Sequence, residues 1–106
     1  MKLHMSQVAA EILAHLRDAG FPAEGAANRQ VLALAEEAGE FVGAYRRWSG
    51  QARRTGTFDE MKAELADVVI TAWVAAAELG IDLDAAVADK LAVIYDRGWR
   101  EKGPPS

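Results

Sequence analysis

Apolar side chains recur along this chain at three- and four-residue intervals, and the intervals break at glycine, proline and short polar runs. Val8, Ile12, Leu16 and Ala19 share one helical face. They predict a first helix over about 6–19, with Ser6 as its N-cap and Gly20 as its stop ahead of Pro22. A second helix is predicted over about 28–48, followed by a basic, polar loop over 50–56. Thr57 and Glu60 fit a capping box that opens a third helix, about 58–79, which Gly80 ends. Asp82 caps a fourth, about 82–98, which carries Leu83, Ala86, Val87, Leu91, Ile94 and Tyr95 to a stop at Gly98. The tail, 103–106, is predicted to fray. No stretch alternates convincingly with period two. Short connections between long helices favour antiparallel neighbours. The predicted fold is therefore all-α, a four-helix bundle-like protomer forming a single domain over 1–106.

Composition narrows this picture. The chain has 106 residues, 51% of them apolar, enough for one core. A domain this small buries a modest fraction of its surface, so a partner subunit is expected to help stabilise it. The absence of cysteine excludes a disulfide scaffold, a thiol nucleophile and a thiolate metal site, and agrees with a cytoplasmic location. The start of the chain lacks the pattern of a secretory leader. The longest uncharged stretch, 68–77, is too short to span a bilayer, so no membrane partner is expected. A net charge of −4 argues against a nucleic-acid polymer as partner, although metal ions can still bridge an acidic protein to phosphates.

The chemistry concentrates on the second and third helices. Glu36, Glu37 and Glu40 lie within about a third of the circumference of the second helix. No Lys or Arg stands three or four residues from them, so their like-charge pairs lack a local cation and each costs a few tenths of a kcal/mol. Gly39 and Gly43 sit beside them, each costing about 0.5–1 kcal/mol in mid-helix relative to Ala, which calls for a packing or ligand reason. The third helix places Glu64 and Asp67 three residues apart on a helix otherwise almost all apolar, which belongs in a core. A lone Glu-x-x-Glu is ordinarily a solvated face. Two such acidic groups on neighbouring helices, neither with cations, are better explained by a bound ion, because burying unpaired carboxylates is expensive. Oxygen ligands without imidazole or thiolate suit magnesium, with manganese as a substitute. Two such ions about 4 Å apart can clamp a phosphoryl centre and activate water.

The run Glu36-Glu37-x-x-Glu40 followed by Glu64-x-x-Asp67 resembles the MazG-like all-α nucleoside triphosphate pyrophosphohydrolases. The likeness extends through 34–41, 64–68, the stretch Gly80-Ile81-Asp82-Leu83, Lys90-Leu91 and Arg97-Gly98, and covers roughly 28–100. It implies hydrolysis of a (deoxy)nucleoside triphosphate between its α and β phosphates, giving a monophosphate and pyrophosphate, as house-cleaning of the nucleotide pool. It further implies magnesium held by Glu37, Glu40, Glu64 and Asp67, with Glu36 as a further ligand or as the base that orients the attacking water. Lys90 and Arg97 match two of three phosphate-facing positions on the family's last helix, while the middle position holds Ile94. Such relatives are homodimers or homotetramers with pockets near subunit interfaces.

Among the tryptophans, Trp48 is the candidate for stacking on a base, while Trp73 reads as core and Trp99 is a weaker candidate. Arg53 and Arg54 read as solvated charge, and His4 and His15 show no metal-ligand spacing. A di-iron bundle is excluded, since Glu-x-x-His occurs nowhere. The alternative function is a catalytically inactive helical module that binds nucleotides or a protein partner.

Overall fold

The computed structural model describes residues 4–98, and these form four helices with no strand among them. They are α1 (Met5–Asp18), α2 (Ala26–Trp48), α3 (Phe58–Glu78) and α4 (Leu83–Arg97). The predicted tail at 103–106 and Trp99 lie outside the described residues. Two predicted caps form. Thr57 Oγ1 accepts from the Glu60 amide at 3.1 Å, and Asp82 Oδ1 accepts from the Ala85 amide at 3.1 Å.

The first cap differs from expectation. α1 begins at Met5 with His4 in the N-cap position and no side-chain cap. Ser6 lies inside the first turn, where its hydroxyl donates to Asp84 Oδ2 at 2.7 Å and ties α1 to α4 instead. α2 also begins two residues earlier than predicted, at Ala26. Gly25 takes a left-handed φ of +74° there, and the Arg29 guanidinium donates to the carbonyls of Glu24 and Pro22, so the preceding loop is held by the helix it enters.

α1, α2 and α3 end alike. The amides of Phe21, Gln51 and Ile81 reach back to the carbonyls of Leu16, Arg46 and Ala76 at 2.8–3.0 Å, which closes the last turns and re-aims the chain. α2 and α3 then run antiparallel as a hairpin, with Trp48 near its corner. Its ring centroid stands 6.2 Å from that of Tyr45 and 5.8 Å from that of Phe58.

α1 packs on α3. Small residues make the approach possible: the buried side chains are Ala9, Ala26, Ala44, Val74, Ala75 and Ala76. An ion pair of 2.7 Å between Arg17 and Glu78 ties the end of α1 to the end of α3. α4 leaves the turn at Gly80 and touches only α1 and α3, so α2 and α4 make no contact among the described residues. Near its start, Asp84 accepts from both Ser6 and the Trp73 indole N–H, the latter at 3.1 Å. Trp73 is thus half-buried at the α3–α4 junction.

The four helices do not close into a compact bundle within one chain. The radius of gyration is 17.5 Å, against about 13 Å for a compact chain of about 100 residues. The apolar face of α3 that the sequence assigns to a core leaves Leu65, Val69 and Ile70 exposed by 46%, 41% and 39%. Leu32 and Val42 on α2 and Val93 on α4 are exposed as well.

Candidate metal centre

The α2–α3 hairpin brings acids from both helices together. Helical spacing puts Glu37 and Glu40 on neighbouring turns of α2, and antiparallel pairing sets Glu64 of α3 opposite them. Glu37, Glu40 and Glu64 each offer a carboxylate oxygen, and these oxygens lie within 4.8 Å of one another. One oxygen of Glu37 and one of Glu64 are buried with no hydrogen-bond partner. A buried carboxylate oxygen is ordinarily satisfied by a donor, so two orphans on members of one acidic group suit a positive charge.

The electrostatics agree. The Glu37 carboxyl is raised above its ordinary value of 4.5 by burial first, then by the charges of Glu40, Asp67 and Glu64. The Glu64 carboxyl is raised by burial first, then by the charges of Glu40 and Asp67, with the Arg47 charge opposing the rise in part. Asp67, one turn after Glu64, therefore belongs to the same electrostatic neighbourhood. Glu36 is exposed and is not among the groups acting on either raised carboxyl.

The donor set fits a hard divalent ion. Oxygens bound to one magnesium at about 2.0–2.1 Å stand about 3 Å apart in adjacent positions and about 4 Å apart in opposite ones. The three oxygens lie within 4.8 Å of one another, a range that admits such an ion. The space beside it is also clear. A Cβ added at Gly39 would meet nothing within 4 Å, so the glycine has no packing reason among the described residues. At Gly43 the nearest atom would be Arg47 Nη1 at 3.4 Å.

Arg47 is the residue that helical neighbours alone did not reveal. It follows Glu40 by seven residues, two turns along the same face of α2, beyond the three- and four-residue positions that hold no cation. The spacing was visible in the sequence, but its approach to Glu64 depends on α3.

The proposed substrate residues are not gathered here. Lys90 and Arg97 lie exposed on α4, which does not touch α2, and neither makes an ion pair among the described residues. Trp48 is 45% exposed at the hairpin corner, about 12 Å along α2 from Glu40. Arg53 and Arg54 are exposed in the loop, as solvated charge would be. Among the described residues, no helix is long and apolar enough to cross a membrane.

A family model described as the MazG nucleotide pyrophosphohydrolase domain matches residues 26–97. The matched stretch contains α2, α3 and α4 whole and every carboxylate of the cluster; α1 precedes it. No curated protein and no solved structure matches.

Proposed function

Since the chain belongs to the MazG nucleotide pyrophosphohydrolase family, we propose that it hydrolyses a (deoxy)nucleoside triphosphate to the monophosphate and pyrophosphate with magnesium as cofactor. The observation that carries this reading is the pair of orphaned, buried oxygens on Glu37 and Glu64, within a set of three carboxylates that converge across two helices. Glu37, Glu40, Glu64 and Asp67 hold the ion, and manganese can take its place. When bound, the ion neutralises phosphate charge and makes a coordinated water more acidic.

Glu36 acts as general base in this reading. It takes the proton of the attacking water as the water oxygen bonds to phosphorus and the α–β bridge breaks. Its exposure leaves it free to meet water and substrate. Lys90 and Arg97 bind the phosphates, and Trp48 stacks on the base. Because α4 stays clear of α2 within one chain, this reading takes the Lys90 and Arg97 that serve a given cluster from a second copy. A homodimer or homotetramer would also cover Leu65, Val69 and Ile70, whose exposure is otherwise unexplained. We include α1 in the same folding unit because it packs on α3. House-cleaning of the nucleotide pool in the cytoplasm is the role we assign, since the substrate pool lies there.

The test is pyrophosphate release from a panel of ribo- and deoxyribonucleoside triphosphates with magnesium. Release from at least one, lost on chelation and in Glu36→Gln, is the expected result. No release from any nucleotide, with no magnesium binding by calorimetry, would leave the inactive interaction module as the better reading. Full activity in Glu36→Gln would remove Glu36 as the base.

A further inference from the structure

We propose that Arg47 binds the phosphate chain of the substrate beside the carboxylate cluster. This rests on the reading of that cluster as a phosphoryl-transfer site. Arg47 lies two turns beyond Glu40 on the same face of α2, the face that carries the cluster's α2 carboxylates. Its path is set by two glycines. A Cβ at Gly56 would come within 3.0 Å of Arg47 Cβ and 3.6 Å of its Nε, so the loop before α3 lies directly along the arginine stem. At the other end Nη1 returns over Gly43, one turn back towards Glu40. The guanidinium is thereby carried over the α2–α3 groove instead of out into solvent, and the residue is half-buried.

Arg47 nevertheless makes no side-chain hydrogen bond and no ion pair among the described residues. An arginine held in place with its donors unused, beside carboxylates that suit a metal, presents a fork to an anion that the metal also binds. A di- or triphosphate fits both demands, since its non-bridging oxygens serve the ion and the fork together. Lys90 and Arg97 on α4 do not supply this contact within the chain.

The experiment titrates wild type, R47Q and R47K by calorimetry, first with magnesium alone and then with magnesium pyrophosphate. R47Q should bind pyrophosphate about 10-fold or more weaker, the loss typical of a charge-assisted contact. R47K should recover part of that loss, and magnesium alone should bind R47Q at least as tightly as wild type. Unchanged pyrophosphate affinity in R47Q overturns the inference while leaving the hydrolase reading intact. So does weakening of magnesium and pyrophosphate together, which marks a merely structural role, and so does an R47K variant that is folded by circular dichroism yet no better than R47Q. A wild-type protein that binds neither and releases pyrophosphate from no nucleotide overturns the hydrolase reading, and this inference with it.

Discussion

Replacing Glu64 with Gln keeps the shape of the side chain and removes one of the three converging charges. The consequence differs with and without metal. In wild type, an ion that binds only the folded chain stabilises it by mass action. At a free magnesium concentration about 100 times its Kd, the gain is about 2.7 kcal/mol. For a domain of this size, each kcal/mol moves Tm by about 4–8 °C, so a rise of about 10–20 °C is expected. Loss of a charged ligand should weaken the ion about 100-fold or more, by comparison with the 10- to 100-fold lost when even an outer-sphere partner is removed. At the same magnesium concentration the shift then falls to about 2–3 °C. Without metal, E64Q should melt no lower than wild type, because the orphaned oxygen sits among like charges from Glu40 and Asp67. Thermal melts followed by circular dichroism, with magnesium titrated against a chelator, give both numbers. A full metal-induced shift in E64Q refutes the placement of Glu64 in the centre. A metal-free E64Q that melts well below wild type refutes the claim that its charge is unsatisfied.

The metal-free protein should lose stability as pH rises. Glu37 and Glu64 both have carboxyls raised on folding from 4.5, so above that value the folded chain holds more protons than the unfolded one and the slope is negative. Melts between about pH 5 and about pH 8 should therefore show Tm falling in chelator, with the fall reduced by magnesium; a metal-free Tm that climbs across this range contradicts it. Arg17→Met should destabilise the fold by about 2 kcal/mol, measured by urea titration. The Glu78 side chain is only 8% exposed and would lose its partner, while the 34% exposure of Arg17 keeps the cost below that of a fully buried pair; a change near zero would mean that Glu78 finds water. Thr57→Ala should cost about 1 kcal/mol in the same assay by freeing the Glu60 amide, and Thr57→Ser should cost less. Equal losses in the two variants would show that the cap is not the reason.

How much was legible in the sequence depends on the range of the interaction. The capping of α3 by Thr57 and of α4 by Asp82 was readable because each involves atoms three residues apart. Ser6 was misread for a related reason: a serine near a helix start has the chemistry of a cap, and its actual partner, Asp84, is 78 residues away. Periodicity correctly marked the α3 face as apolar. It carried no information about whether this chain or another one covers it.

The sequence by itself determined four helices and the membership of Glu37, Glu40, Glu64 and Asp67 in two acidic groups without local cations. A 3.6-residue period assigns each side chain a face from its number alone. Only the tertiary structure decided which faces meet. The antiparallel pairing of α2 with α3 turned two acidic stripes into one cluster with two orphaned oxygens. It brought Arg47 to bear on Glu64 from two turns beyond Glu40. The departure of α4 from α2 left Lys90 and Arg97 outside the cluster of their own chain. Spacing along a helix fixes direction around its axis, whereas distance between helices depends on the packing of small residues such as Ala9, Ala44 and Ala75 at their contacts.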